Sequence, residues 1–519
     1  MVIISEERSE DIRAFLLQPG RIRCKADEVS LEAKLGDHIT LQYPMMTARM
    51  QSVVGPKMAV AAGRCGILTC VPRALPRDEK EEIVKANNDA RLKKGEVEYI
   101  KKPVTASIDS RAYDVIGLAK RTGYSVIPIV DDFRHVKGFY VHEQNGGSRP
   151  HPNAMISDVM KPLKSDDHPE GIPYLTGDNK SDSNVRGLFS DGARFIPIVN
   201  DEDEQVLLEI AFKQKFDTNF IGMAVTTGAN WEDEVRFWMD KVDTLMTDSS
   251  NICYDDAFEV LKRAKKICPE KPFGVGNLVS GEFFHKFASE GADYIMGGMG
   301  PGGACKTGSL RGMGRGQMTV AMDLSNARDD FYQNDSSHRY VQLVLDGGIE
   351  HINEMSVSLC FADLIMQGGY HVRFYESAGR KFAGDGKTVT TNEGEMRFSE
   401  YWGEGHALAR IVGQFGMRIF DDIGHNDTDT VDKDQVRMVL ERYGHADLGS
   451  VTEEGVYGHK AYAGRLRPNV ENDALYLRQN ISNAGAIDLE TFRERAVLEK
   501  ASVETLRKMF PHDIEQLGN

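Results

Sequence analysis

The stretch Tyr294-Ile-Met-Gly-Gly-Met-Gly-Pro-Gly-Gly-Ala-Cys305-Lys-Thr-Gly-Ser-Leu-Arg-Gly-Met-Gly-Arg-Gly-Gln317 places a glycine-rich loop directly after a short apolar run. The apolar run 294–296 is typical of the end of a buried strand. Glycine has no Cβ, so a loop rich in glycine can turn sharply and bring its backbone close to a ligand. The sequence therefore predicts a strand that leads into a binding loop over 297–317.

Cys305 is the one cysteine in this loop. Structural cysteines are usually buried among apolar side chains, whereas a thiol on a glycine loop can reach solvent and ionise. This placement favours a nucleophile. The alternative is a small apolar side chain in a connecting loop, which is the commoner role of a single cysteine.

Strand-like and helix-like segments alternate on both sides of the loop. Residues 39–50 are predicted as a strand running into a loop, and residues 58–70 as a helix, a glycine stop and a strand. This alternation predicts a parallel sheet, and the number of units suits a closed (β/α)8 TIM barrel, whose chemistry lies at the carboxyl ends of the strands. Further apolar strands ending in polar residues are 221–225, 244–248 and 273–277. Polar residues expected at the strand ends are Asp248, Ser249, Asn277, Cys305 and Asp346.

An internal repeat interrupts this rhythm after residue 95. The segment Tyr124-Ser-Val-Ile-Pro-Ile-Val-Asp-Asp132 is matched by Ala193-Arg-Phe-Ile-Pro-Ile-Val-Asn-Asp201. Residues 103–145 and 155–215 are therefore predicted as two copies of one unit, each with a helix before an apolar strand.

The composition excludes several classes of protein. A chain of 519 residues is long enough for two or three domains, and its net charge of −16 argues against nucleic-acid binding, which needs a basic face. The seven cysteines contain no CxxC pair, so neither a disulfide framework nor a zinc site is predicted. No apolar run approaches the roughly 20 residues of a membrane span, and the first residues lack a signal-peptide pattern. A cytoplasmic protein without membrane partners is expected.

The segment Gly298-Met-Gly-Pro-Gly-Gly-Ala-Cys305-Lys-Thr307 resembles the catalytic cysteine loop of the inosine monophosphate (IMP) dehydrogenase and guanosine monophosphate (GMP) reductase family. Further motifs follow in the order that the family uses: Arg311-Gly-Met-Gly-Arg-Gly-Gln317, Leu345-Asp-Gly-Gly-Ile349, Tyr401-Trp-Gly-Glu-Gly405, Arg442-Tyr443 and Glu453-Glu-Gly-Val456. The resemblance covers nearly the whole chain.

The resemblance implies a TIM barrel that carries an inserted tandem CBS (Bateman) domain. It assigns residues 1–94 and 218–519 to the barrel and residues 95–217 to the CBS pair, which often binds adenine nucleotides in this family. A mobile flap is expected over about 403–455. Tetramers are expected, and these can pair into octamers.

The chemistry implied by the resemblance is oxidation of IMP with NAD as cofactor, yielding xanthosine monophosphate. Cys305 would be the nucleophile, and a flap arginine, Arg442, beside Tyr443 would act as the base that hydrolyses the covalent thioimidate. Thr307 and Glu454 match residues that relay a proton from water or contact the purine. Because a reductase hydrolyses nothing, the Arg-Tyr pair favours the dehydrogenase.

Binding residues follow from the same resemblance. The nucleotide substrate would contact Met50, Gly303, Asp346, Gly347, Gly348, Gly368, Gly369, Tyr401, Gly403, Glu404, Gly405 and Glu454. The NAD site would draw on Asp248, Ser249, Ser250, Asn277, Gly298 and Gly300. A potassium ion would bind the backbone carbonyls of Gly300, Gly302 and Cys305.

The sequence departs from the family in several places. Gly303 replaces a serine that usually touches the phosphate, and Lys306 stands where an uncharged residue is usual. The segment 411–440 is longer than usual, and the tail 499–519 lacks the Glu-Gly-Gly that completes the family's potassium site. Two alternatives to the dehydrogenase therefore stay open: an NADPH-dependent GMP reductase, and a catalytically weak relative that senses nucleotides.

Overall fold

The chain divides into two compact units. Unit 1 comprises residues 1–91, 219–463 and 473–519, and unit 2 comprises residues 92–218 and 464–472. The computed structural model describes residues 8–101, 103–122, 124–141, 151, 153–201, 204–334, 339–385, 389, 394–422 and 455–509.

Unit 1 is built on a closed barrel of eight parallel strands. The first strand pairs with the eighth and the second with the third, and a parallel bridge between Met46 and Leu68 joins the first to the second. The predicted TIM barrel is confirmed. In chain order the strands are Met45–Thr47, Thr69–Val71, Ile221–Val225, Thr244–Thr247, Phe273–Leu278, Tyr294–Gly297, Gln342–Asp346 and Leu364–Gln367.

The composition of these strands explains why the sheet is parallel and covered on both faces. Leu343, Val344 and Leu345 are consecutive and fully buried, as expected of a parallel strand between a packed interior and a ring of helices. No helix of the described residues is long and apolar enough to cross a membrane. Among its described residues, unit 1 has the helices Pro56–Arg64, Arg77–Asp89, Trp231–Trp238, Asp255–Ile267, Phe284–Ser289, Thr307–Arg311, Gln317–Asn334, Ile352–Leu359, Ala407–Phe415, Ile419–Asp422, Leu489–Arg495 and Val503–Met509. One further helix, Leu466–Asn483, begins in residues assigned to unit 2 and ends in unit 1.

The barrel interior contains a large aromatic side chain that depends on a glycine opposite it. Tyr294 is fully buried, and a Cβ at Gly274 on the neighbouring strand would overlap its ring. The Tyr294 hydroxyl lies 3.0 Å from Thr244 Oγ1 and donates to the Leu245 carbonyl at 3.2 Å. Because the phenol is hydrogen-bonded, its burial adds apolar packing without leaving a polar group unsatisfied.

Short strands outside the barrel form small separate sheets. The predicted strand over 39–50 is two separate strands, because a turn at Tyr43 and Pro44 divides Ile39–Leu41 from the first barrel strand. The start of the predicted flap, up to residue 422, is largely helical, and Leu408, Ala409, Ile411 and Val412 of its first helix are buried. Two of these small sheets are strand pairs, Phe15–Leu17 with Leu498–Lys500 and Ala33–Leu35 with Ile39–Leu41. A third has three strands, Lys381–Ala383, Met396–Trp402 and Tyr457–Ala461.

Unit 2 repeats one arrangement of elements twice. Its first copy is the strand Ala106–Ser107, the helix Ala112–Thr122 and the strands Val126–Val130 and Val136–Val141. In both copies the first strand is parallel to the second, and the second is antiparallel to the third. The internal repeat read from the sequence is therefore a repeated βαββ fold. The second copy is Leu175–Thr176, Asp182–Ser190, Ile196–Val199 and Leu207–Lys213, with Val97–Ile100 added to its sheet.

Candidate active site

A pocket of about 530 Å³ opens at the carboxyl ends of the barrel strands. Its wall begins at Ala48, directly after the first strand, and includes the loops that follow several other strands. All described residues that the sequence analysis proposed for the site line this pocket: Met50, Asp248, Ser249, Ser250, Asn277, Gly298, Gly300, Gly302, Gly303, Cys305, Thr307, Asp346, Gly347, Gly348, Gly368, Gly369, Tyr401, Gly403, Glu404 and Gly405. Arg442, Tyr443 and Glu454 lie outside the described residues.

Cys305 is exposed at the pocket, and its Sγ lies 3.0 Å from the hydroxyl of Thr307. The loop is held on both sides of the thiol: the Cys305 N–H donates to the Gly302 carbonyl at 3.0 Å, and Ala304 accepts from the Val456 N–H at 3.0 Å. Thr307 is buried, so its hydroxyl has a fixed position beside the thiol. This arrangement presents a reachable nucleophile next to a group that can pass on a proton.

Arg49 organises the pocket floor. Its guanidinium donates to Asp346 Oδ2 at 3.0 Å, to Asn277 Oδ1 at 2.9 Å and to the Thr247 carbonyl at 2.8 Å. Asn277 also donates to the same Asp346 oxygen at 3.0 Å. Burial nevertheless raises the pKa of Asp346 above its ordinary value, with Arg49 opposing the shift. Burial likewise opposes the charge of Arg49, but the carboxylates of Asp248 and Asp346 raise the pKa of its guanidinium.

Asp248 follows the fourth strand at the other side of Arg49. The two side chains approach to 3.6 Å, and Arg73 lies 3.8 Å from the second carboxylate oxygen. The neighbouring Ser249 hydroxyl donates to the Asn251 carbonyl at 2.8 Å, which leaves its lone pairs able to accept. A carboxyl group and a hydroxyl therefore line this part of the pocket and can accept hydrogen bonds.

Tyr401 and Glu404 close the pocket from the strand Met396–Trp402 and the loop after it. The Tyr401 hydroxyl lies 3.7 Å from Met50 Sδ, and burial raises the pKa of this phenol. A Cβ at Gly368 would lie 2.8 Å from Met50 Sδ and 3.0 Å from the Tyr401 hydroxyl, so a larger residue here would require these two side chains to shift. Glu404 accepts from the Gln51 N–H at 2.7 Å, and burial raises its pKa to about 8.

The loop after the seventh strand turns on two glycines. Gly347 and Gly348 have φ values of +88° and +71°, in the left-handed region that favours glycine. The turn places Glu350 at the pocket, where both carboxylate oxygens lie 2.8 Å from Lys460 Nζ.

The proposed potassium ligands lie on the cysteine loop. Gly300 has a φ of +89°, and the Gly302 carbonyl accepts the Cys305 N–H. Within the described ranges, no group of three or more His, Cys, Asp or Glu side chains is arranged to hold a metal ion. Potassium binding by the three carbonyls stays a prediction.

The sequence analysis missed the charged residues that join distant parts of this pocket. Arg49, Arg73 and Glu350 line it, and Lys460 contacts Glu350. Arg49 follows the first strand by two residues and Glu350 the seventh by four, so their places after barrel strands were a usable signal. No sequence signal distinguished Lys460.

The sequence matches the family profile described as "IMP dehydrogenase / GMP reductase domain" over residues 12–512. Similar proteins include inosine-5'-monophosphate dehydrogenase of Tritrichomonas foetus, which is 25% identical over 96% of this chain and 95% of the relative. The enzyme of the same name from Aquifex aeolicus is 23% identical over 96% of this chain and 94% of the relative.

A solved structure with the same fold is a cysteine-to-alanine variant of GMP reductase from Trypanosoma brucei in complex with guanosine 5'-monophosphate. The similarity has a TM-score of 0.62 at 19% sequence identity and covers 98% of this chain and 99% of that one. At this identity the likeness supports the fold alone.

Proposed function

Because the chain belongs to the IMP dehydrogenase / GMP reductase family of oxidoreductases, we propose that it oxidises IMP to xanthosine monophosphate with NAD. The observation that carries the proposal is the exposed Cys305 thiol, 3.0 Å from the Thr307 hydroxyl, in a pocket of about 530 Å³ at the carboxyl end of the barrel. This is where (β/α)8 barrels carry their catalytic groups.

In the proposed reaction the Cys305 thiolate adds to C2 of the hypoxanthine ring. C2 then loses its hydrogen as a hydride, and the remaining carbon is bound to sulfur as a thioimidate. Attack of water at C2 breaks the carbon–sulfur bond, which releases the product and returns the thiol. Thr307 is placed to move a proton between the thiol and water, and Arg442 with Tyr443 is proposed as the base that activates the water.

Binding of the nucleotide is proposed at the inner wall of the pocket. The carboxylate of Asp346 accepts hydrogen bonds and suits the two ribose hydroxyls. The backbone amides of Gly348, Gly368 and Gly369 suit the phosphate, because glycine lets an anion approach the amides closely. Gly347 would border the phosphate without donating to it, since its N–H donates to the Met366 carbonyl at 3.1 Å. Met50 and Tyr401 would border the purine.

The outer part of the pocket is the proposed site of NAD. Asp248 and Ser249 offer a carboxylate and a hydroxyl there, which suits the hydrogen-bonding needs of a ribose. We propose that they hold the nicotinamide ribose, with Ser250, Asn277, Gly298 and Gly300 bordering the rest. When bound, NAD would supply the acceptor for the hydride.

The choice of dehydrogenase over reductase is supported by two facts. The sequence contains Arg442-Tyr443 ahead of Glu453-Glu-Gly-Val456, and a reductase, which replaces an amino group at C2 by hydrogen, has no hydrolysis step that needs this pair. Similar full-length curated relatives are named inosine-5'-monophosphate dehydrogenase.

Absorbance of NADH tests the proposal. We expect NADH to form from IMP and NAD, and to be absent with Cys305→Ala. Cys24→Ser is a matched control, since the half-buried Cys24 thiol bonds the Ala486 carbonyl at 3.4 Å and a serine keeps that bond. Consumption of NADPH with GMP would instead identify a reductase, and inactivity in both assays would favour the nucleotide-sensing relative.

Arg442→Ala separates the two half-reactions. The variant should release about one NADH per subunit in a rapid burst and then stall, because hydride loss precedes hydrolysis. Intact-mass measurement should find the purine nucleotide attached to Cys305. A steady rate equal to wild type without a burst would contradict the role of Arg442.

Unit 2 is proposed to be the tandem CBS pair, with boundaries near residues 95 and 217. The repeated βαββ fold supports this, as does a pocket of about 600 Å³ within the unit that includes Lys94, Tyr99 and Arg186. Titration calorimetry with ATP tests effector binding there, and light scattering tests the proposed tetramer and octamer.

A further inference from the structure

The loops after the seventh and eighth strands of a (β/α)8 barrel frequently form its phosphate site. In this chain those loops begin at Gly347 and Gly368, and Glu350 lies in the first of them. A carboxylate at the usual position of a phosphate is unexpected, because two anions repel each other.

The side chain of Glu350 occupies space that glycines leave open. A Cβ at Gly369 would overlap its carboxylate, and a Cβ at Gly303 would lie 3.9 Å from Glu350 Oε1 and 3.8 Å from Lys460 Nζ. Three loops, those after the sixth, seventh and eighth strands, therefore meet around one carboxylate and one ammonium group.

Lys460 is a cation in direct contact with the pocket residue Glu350. It lies on the strand Tyr457–Ala461, is 29% exposed, and contacts both oxygens of Glu350, which is 21% exposed. Arg49 and Arg73 are directed to Asp346 and Asp248 instead. A phosphate entering here would meet Lys460 only by taking the place of the Glu350 carboxylate.

We propose that Lys460 is the residue whose charge binds the 5'-phosphate of the nucleotide, and that Glu350 is an internal anion which holds Lys460 until the phosphate displaces it. The inference rests on the proposed function only in taking the ligand to be a purine nucleoside monophosphate. It concerns the phosphate group, which IMP and GMP share.

This competition gives the two partners opposite effects. Removing Lys460 removes the attraction, so affinity for the nucleotide falls. Removing the charge of Glu350 frees Lys460 and removes a repulsion, so affinity rises. In an ion pair that only braced the fold, loss of either partner would act in the same direction.

The test is titration calorimetry of the full chain with IMP, GMP, inosine and guanosine. A charge-assisted hydrogen bond corresponds to roughly tenfold to a hundredfold in affinity, so Lys460→Met should lose about this factor for both nucleotides. Glu350→Gln should bind both nucleotides several-fold more tightly, because the phosphate no longer competes with a carboxylate for Lys460. Neither variant should change the affinity for the nucleosides, which lack the phosphate.

Controls separate charge from folding. Lys460→Arg keeps a cation and should retain most of the affinity, which distinguishes loss of charge from a disturbed strand. Lys262→Met is a matched control, because Lys262 forms a 3.8 Å pair with Glu290 on the exposed face of another helix. Its affinities should equal those of wild type.

Two results would overturn the inference: weaker nucleotide binding in Glu350→Gln, or equal losses for nucleotide and nucleoside in Lys460→Met. The proposed oxidation of IMP can be wrong while this inference holds, because binding affinities are measured without turnover. If neither nucleotide binds, the shift in Tm caused by inorganic phosphate is the deciding measurement. A shift that is present in wild type and in the control variants but absent in Lys460→Met supports the phosphate site. The absence of a shift in wild type rejects it.

Discussion

At the scale of single residues, Arg49 decides how the pocket carries its charge. Its side chain is only 6% exposed and lies between Asp346 and Asp248, the two carboxylates proposed for the two riboses. Without a cation between them, these acids would repel each other in a poorly solvated site. Arg49 therefore makes it possible for one pocket to hold two carboxyl groups as the proposed ribose acceptors.

Replacing Arg49 should destabilise the protein far more than replacing Arg73. Arg49→Gln leaves Asp346 buried without its cation, which should cost about 3 kcal/mol of unfolding free energy. Arg73 is 45% exposed at 3.8 Å from Asp248, so Arg73→Gln should cost roughly 0–1 kcal/mol. Urea denaturation of both variants measures the difference. Equal stabilities would show that Arg49 does not compensate Asp346.

Glu404 should make stability depend on pH. Its pKa is raised to about 8 by burial, so between about 4.5 and 8 the unfolded carboxyl is ionised while the folded one keeps its proton. The folded state binds more protons there, and its stability falls as pH rises through this range.

The variant Glu404→Gln removes this dependence. Its stability relative to wild type should increase from pH 5 to pH 8 and then level off, as measured by urea denaturation at several pH values. Glu32→Gln, at an exposed position, is the control and should show no such trend. A constant difference between Glu404→Gln and wild type would contradict the shifted pKa.

At the scale of elements, glycines on the strands have a different role from those in the loops. Gly347 and Gly348 let the chain turn with positive φ, which most side chains resist. Gly274 has no such conformation and serves instead to admit the ring of Tyr294 into the barrel interior. Strand glycines of this kind adjust packing, whereas loop glycines shape the site.

Alanine should therefore act in opposite directions at two glycines. Gly274→Ala forces a methyl group against the Tyr294 ring and should cost roughly 1–3 kcal/mol or more. Gly187→Ala lies on the exposed face of the helix Asp182–Ser190, with open space around it, and should stabilise by about 0.5–1 kcal/mol. Chemical denaturation of the two variants measures both changes, and a neutral Gly274→Ala would show that the interior can repack.

At the scale of the whole molecule, the chain contains two units with separate apolar cores. Unit 1 buries side chains such as Trp238 and Phe273 around its barrel. Unit 2 has its own cluster, in which Phe139 and Phe195 pack with ring centroids 5.3 Å apart. Units with independent cores commonly unfold as separate cooperative transitions.

Calorimetry of the full chain should therefore resolve two transitions. Gly274→Ala should lower the midpoint temperature of the unit 1 transition, and Gly187→Ala should raise the midpoint temperature of the unit 2 transition. IMP at a hundred times its Kd should raise the midpoint temperature of the unit 1 transition alone, because a ligand stabilises the state that binds it. The corresponding gain in unfolding free energy is about 2.7 kcal/mol. A single transition moved by every change would show that the chain unfolds as one cooperative unit.

The sequence by itself determined the barrel, the repeat and the position of the cysteine loop. Apolar runs that end in polar residues, such as 244–248, are local patterns, and parallel strands bring their carboxyl ends to one edge. Placement of Asp248, Asn277 and Asp346 around one pocket followed from that rule. The division of 39–50 into the strands Ile39–Leu41 and Met45–Thr47 was missed, although Pro44 lies at the break between them.

Only the tertiary structure decided which charges meet. Arg49 and Asp346 are 297 residues apart and Lys460 and Glu350 are 110 apart, so no local pattern links them. They come together because closing the barrel brings its first strand beside its eighth, and because the strand Tyr457–Ala461 pairs with Met396–Trp402. Sequence spacing locates the cysteine loop, whereas the charge balance around it arises from long-range packing.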